Sequence, residues 1–175
     1  MFNAQRDLTM TSTQFPQHFD TLADAITVVG IELRTDNTVA AQTIPPHWQR
    51  FGQENVLAAV EGKRGEDVFA VYTHFAHAGS NNTGLYSLVL GAAVAPDAPV
   101  PAGMVRVVVP ASARAVFGVE KGRFDLVGAT WQAIWQRNDL AKTFIAEYEQ
   151  YHANGEISVS IGLSTPTQRM NEQKP

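Results

Sequence analysis

Cysteine is absent from all 175 residues. Its absence excludes disulfides, thiolate nucleophiles and Cys-type metal sites. Charge is sparse as well: 17% of the residues are Asp, Glu, Lys or Arg, with a formal net charge of -4. No stretch gathers lysine and arginine, so the chain lacks the basic surface that follows a nucleic-acid backbone. No apolar run approaches about 18 residues, and no membrane span is expected. The first residues, Met1 to Thr13, are polar and lack the apolar centre of a secretory signal. These absences leave a cytoplasmic location as the default. The apolar fraction of 45% is that of a soluble globular protein long enough to bury a sizeable core in one domain.

Periodicity then divides the chain. Residues 1–19 read as a flexible lead-in, with Met10 an alternative start, and residues 165–175 read as a disordered tail. The β-branched run over Ala25 to Thr35 predicts a strand ending at the turn residues Asp36 and Asn37. Pro45 and Pro46 suit a first helical turn, and Ile44, Trp48, Phe51 and Asn55 continue at helical spacing to about Val60. Val68 to Phe75 alternates as a strand, with Val71, Thr73 and Phe75 on one face and Ala70, Tyr72 and His74 on the other. A Gly/Ser/Asn-rich loop over Ala78 to Gly84 joins it to a second strand, Leu85 to Ala95. Pro96, Pro99 and Pro101 mark a crossover. Beyond it, Met104 to Val119 is β-rich and broken near Pro110. Asp125 then suits the cap of a helix whose inner face is Val127, Trp131, Ile134 and Trp135. After the Asn154-Gly155 turn, Ile157, Val159, Ile161 and Leu163 alternate with Ser158, Ser160 and Gly162 as the last strand.

Phe144 to Tyr151 admits two readings. As a strand it sets Glu147, Glu149 and Tyr151 on one face, placing carboxylates among aromatic rings. As a helix it aligns Phe144, Tyr148 and Tyr151 and leaves the glutamates in water. An internal echo favours the strand. Val28-Val29-Gly30-Ile31-Glu32 resembles Val116-Phe117-Gly118-Val119-Glu120, and Trp48-Gln49-Arg50-Phe51 resembles Trp131-Gln132-Ala133-Ile134. Each half then reads strand, helix, strand, strand, with repeats over about 25–95 and 104–164. The predicted class is α+β: tandem repeats related by a pseudo-twofold axis, forming an antiparallel sheet with two main helices and a central cleft. Across the axis Glu149 is expected to face Thr73, and Tyr151 to face Phe75.

Several segments resemble the GyrI-like, or AraC-type, effector-binding domains. They are Gly30 to Asn37 followed by Ile44-Pro45-Pro46-His47-Trp48-Gln49-Arg50-Phe51; Val71-Tyr72-Thr73-His74-Phe75; Tyr86 with Gly91; and Tyr148-Glu149-Gln150-Tyr151. The resemblance spans about Ile26 to Leu163. It implies one effector-binding domain over 20–164, with an aromatic pocket in which Glu149 meets a bulky, lipophilic or cationic ligand. His74 and Phe75 stand where an acidic residue and a tyrosine are common in that family. No helix-turn-helix segment is evident, so regulation of transcription would need a separate DNA-binding partner; a homodimer is a further expectation.

The expected ligand-binding residues are Glu149, Tyr151, Trp48, Tyr72, Phe75, Tyr86 and Trp135, with Glu147 as a second acidic residue on the same predicted face. A buried carboxylate is costly without a positive partner, and rings attract cations. Taken singly, each ring reads equally well as core. His47, His74, His77 and His152 do not form a convincing ligand set, since strand geometry sends His74 and His77 to opposite faces; neither a metal nor a cofactor is expected. Two other functions fit the resemblance. One is hydrolysis of reactive drug-like electrophiles, with Glu149 as general base and a tyrosine polarising the leaving oxygen. The other is a protein-interaction role of the kind that protects gyrase.

Overall fold

The computed structural model describes residues 18–165. Residues 1–17 of the expected lead-in, with the alternative start at Met10, and residues 166–175 of the expected tail lie outside those residues. The elements in chain order are β1 (His18–Leu22), β2 (Ile26–Thr35), α1 (Ala40–Gln53), α2 (Val56–Ala59), β3 (Val68–Thr73), β4 (Tyr86–Val94), β5 (Val105–Val109), β6 (Ser112–Val119), α3 (Val127–Gln136), β7 (Ala146–Tyr151) and β8 (Ile157–Leu163). A 3-10 turn, Phe124–Leu126, precedes α3. The strands form a single antiparallel sheet ordered β1-β6-β8-β7-β3-β4-β2-β5. The fold is α+β.

That order is palindromic by repeat. β3 and β7 meet at the centre, β4 and β8 flank them, and β2 and β6 lie outside those. The outermost strands are exchanged: β1 precedes β2 in sequence but pairs with β6, while β5 precedes β6 but pairs with β2. In a flat sheet, six strand spacings of about 4.8 Å would separate β1 from β2 by roughly 29 Å, which the three residues between them cannot span. The sheet therefore curls until its two ends approach, and β5 packs across the concavity against β3 and β7. Val28, Val71, Val89, Val107 and Val109 fill that concave side together with Phe69 and Tyr148. A crease at Gly30 and Gly91, paired across β2 and β4, permits the curl. A Cβ on Gly30 would lie 2.0 Å from the Leu90 carbonyl oxygen, and one on Gly91 2.0 Å from that of Val29.

Both long helices cover the convex side. From α1, Ile44, Trp48 and Phe51 pack on Ile31, Ala70, Leu88 and Leu90. From α3, Val127, Trp131 and Ile134 pack on Phe117, Val159 and Ile161. The helices stand on opposite sides of the β3–β7 seam and leave a trough over it.

The sequence-based expectations for these elements need correction at several places. β1 starts at His18 and so takes in the last two residues assigned to the lead-in, because edge pairing with β6 stabilises a segment with no apolar alternation of its own. α1 starts five residues before Pro45, and both prolines lie inside it. The start follows an Asx turn, in which Asp36 Oδ1 accepts from the Thr38 amide at 2.7 Å and from its hydroxyl at 2.5 Å. α1 also ends early, at Gln53, since Asn55 takes the left-handed conformation (φ 50°). Asp125 does not cap α3: its carboxylate is bound by Arg123 at 2.7 and 2.9 Å inside the 3-10 turn. Finally, Glu149 lies opposite Ala70 and Tyr151 opposite Val68, whereas Thr73 pairs with Ala146. A twofold axis runs its two central strands antiparallel, so the late residues of one strand meet the early residues of the other.

Candidate ligand-binding site

The β7 alternation places Glu147, Glu149 and Tyr151 on the convex side of the sheet, under the trough. Tyr72 from β3 and Tyr86 from β4 share that side, since Tyr72 pairs with both Glu147 and Leu88. The trough encloses a cavity of about 440 Å³, a size ordinary for small-molecule sites. Ala40, Ala41, Ile44, Pro45 and Trp48 of α1 form one wall, and Val127, Gly128, Trp131, Gln132 and Trp135 of α3 form the other. Asn37, Asn82 and Phe124 complete the lining around Phe75 and the strand residues.

At the floor, Glu149 is 2% exposed and surrounded by donors. The Tyr72 hydroxyl donates to its Oε1 at 2.8 Å, the Trp131 indole N–H donates to the same oxygen at 2.6 Å, and the Tyr151 hydroxyl donates to Oε2 at 2.6 Å. Burial pushes the Glu149 carboxyl above its ordinary range, and the three hydrogen bonds pull it back only in part. The same burial, with the adjacent Glu149 carboxylate, raises Tyr72 and Tyr151 well above a normal phenol, and burial with the Asp36 and Glu149 carboxylates raises Tyr86 to about 12, so the phenols stay protonated donors. The partners supply polarity without charge.

Rings continue outward from this centre. Tyr72 meets Trp131 edge-on at 5.2 Å, and Trp48 meets Tyr151 edge-on at 5.3 Å. Trp135 tilts against Trp131 at 6.1 Å and is 40% exposed at the rim. Phe124 stacks on Tyr151 at 5.8 Å.

All seven expected residues line this one cavity. Phe75 arrives there by a route the alternation did not indicate. β3 ends at Thr73, and His74 adopts a left-handed conformation (φ 51°). The following residue is thereby moved off the Val71–Thr73 face and against Tyr86, with ring centres 5.7 Å apart. The Arg34 guanidinium donates to the His74 carbonyl at 2.7 Å and holds that kink. The spacing of Trp131 indicates a core residue and gives no sign of its donation to Glu149, although its repeat counterpart, Trp48, is among the residues expected in the pocket. Phe124, Asn37, Asn82 and Gln132 carried no signal in the sequence. Among the described residues, no group of three or more His, Asp or Glu side chains is placed to hold a metal ion. Nor, among those residues, is any helix long and apolar enough to cross a membrane.

A sequence model of the integron-associated effector-binding proteins, the Cass2 family, matches residues 21–171. The chain belongs to this effector-binding family. Its fold is shared by solved GyrI-like proteins. An integron cassette protein from the mobile metagenome of Vibrio cholerae superposes with a TM-score of 0.66 at 16% identity, over 86% of this chain and 98% of that one. The protein SAV2435, solved bound to tetraphenylphosphonium, superposes with a TM-score of 0.69 at 16% identity, over 90% of this chain and 98% of that one. No curated protein sequence matches the chain. The resemblance drawn from the sequence segments therefore holds at the level of family and fold.

Proposed function

We propose that this effector-binding protein takes up lipophilic organic cations in the trough, with Glu149 as their counter-charge. The observation that carries this reading is the carboxylate itself. It is buried in an aromatic cavity and held by three neutral donors, so its ionised form is under-compensated until a positive ligand arrives. Each ring faced by such a ligand adds about 0.5–2 kcal/mol. That SAV2435, with the same fold, binds a phosphonium cation supports the reading.

Titration calorimetry with tetraphenylphosphonium tests it. Wild-type protein is expected to bind, and Glu149→Gln to bind at least tenfold more weakly, about 1.4 kcal/mol. Equal affinity in the two proteins would remove Glu149 from the role. The Tyr151–Glu149 contact of 2.6 Å is also the pair a hydrolytic reaction would use. Recovery of the unaltered ligand after incubation is the outcome expected of a binding protein, whereas for a reactive electrophile turnover that vanishes in Glu149→Gln would identify an enzyme.

A further inference from the structure

Glu149 is not the only acid on the cavity floor. Glu147 lies two residues earlier on the same face of β7, about 7 Å away at strand spacing. It lines the same cavity and is 3% exposed. Its Oε1 is buried and has no hydrogen-bond partner among the described residues. Buried polar atoms are almost always paired, and an orphan is costly to the fold. The two acids therefore offer a ligand different things. Both Glu149 oxygens are already engaged, so it presents charge; Glu147 presents an open acceptor. In register with Tyr72, Glu147 sits toward the end of the cavity formed by Tyr72, Tyr86 and Phe75.

We infer that the preferred ligand is a flat aromatic cation carrying N–H donors, such as an aryl amine or amidine, with an N–H directed to Glu147 Oε1, in preference to a fully alkylated or arylated cation. This deepens the proposed cation-binding reading and rests on it. A quaternary or phosphonium centre can satisfy Glu149 by charge and ring contact but leaves the Glu147 oxygen unpaired. An N–H cation satisfies both.

Protonation supplies a second readout. Burial lifts Glu147 to about 7, while Arg114 and Lys142 pull it down. Glu149 and the phenols of Tyr72, Tyr86 and Tyr151 also face the cavity. At pH 7 Glu147 is therefore about half protonated, and a donor arriving at Oε1 selects the carboxylate. An N–H cation should release more protons on binding than an alkylated one of equal charge.

The test compares 9-aminoacridinium with 9-(dimethylamino)-10-methylacridinium, which has the same ring system and charge and no N–H. Calorimetry at pH 7, in two buffers of different ionisation enthalpy, gives affinity and proton release together. The expected result for wild-type protein is at least tenfold tighter binding of the N–H cation and the larger proton release. In Glu147→Leu, which removes the acceptor, the ratio should fall to within threefold. Equal affinity and equal proton release for the two cations on wild-type protein would overturn the inference, as would a preference that persists in Glu147→Leu. If the alkylated cation binds and depends on Glu149 while the preference is missing, only this inference falls. If neither cation binds, the cation-site reading falls with it.

Discussion

The two sides of the sheet each bury charge and treat it differently. On the concave side Arg114 is 2% exposed, yet each of its three side-chain nitrogens donates to the fold. It donates to Ser160 Oγ at 3.0 Å, to the Ser160 carbonyl at 2.8 Å, to the Ala146 carbonyl at 2.9 Å and to Ser112 Oγ at 3.3 Å, and it lies 5.0 Å above the Tyr148 ring. On the convex side Glu149 has donors but no charge partner among them, and Glu147 has an oxygen with no partner among the described residues. Burial disfavours the charged form on both sides, but Arg114 is closed in by acceptors of the fold, whereas the two glutamates border a cavity. A charge left under-satisfied beside a cavity costs stability and gives that cavity a preference for what enters it.

Substitutions on the two sides should separate these roles. The largest effect belongs to the concave side. Arg114→Met strips the donors from buried acceptors and should destabilise the protein by about 3 kcal/mol, measured by urea denaturation, while leaving tetraphenylphosphonium affinity within twofold. A comparable loss of affinity would break the division between the faces.

Glu147 should show the opposite sign. Its pKa rises from an ordinary 4.5 to about 7 on folding, so ionising it opposes folding. Stability is full below about pH 4.5 and declines as pH climbs through 7. Glu147→Gln, which cannot ionise, should exceed the wild type by up to about 3 kcal/mol at pH 8 and by little at pH 4.5. Denaturant midpoints across that range check it, and a difference independent of pH would contradict it.

A smaller effect is expected at the link between wall and floor. Trp131→Phe keeps the ring and removes one donor from Glu149. The charged form is then less favoured, and tetraphenylphosphonium should bind about threefold to tenfold more weakly. Unchanged affinity would mean that the indole N–H has only a packing role.

Much of this arrangement was legible because its signals are local. The alternation at Ile157–Leu163 marks a strand by itself, and the echo of Trp48-Gln49-Arg50-Phe51 in the second half resolved whether the segment holding Glu149 is helix or strand. What escaped depends on distant partners or on single backbone angles. β1 is a strand through its pairing with β6, and its exchange with β5 joins residues nearly a hundred positions apart in sequence. The kink at His74 reverses the face of Phe75 without any change in hydropathy pattern. Trp131 carries the spacing of a core residue and is one; its N–H reaches Glu149 only because α3, lying over β6 and β8, brings the indole beside β7.

The most direct test of the central claim is the titration of the Glu149 side-chain carboxyl carbon by NMR, with and without saturating tetraphenylphosphonium. The carboxyl is expected to titrate above the ordinary glutamate range in the free protein and to fall when the cation is bound, because the ligand supplies the missing positive charge. A carboxyl that titrates identically in both states would contradict the assignment of Glu149 as the counter-charge.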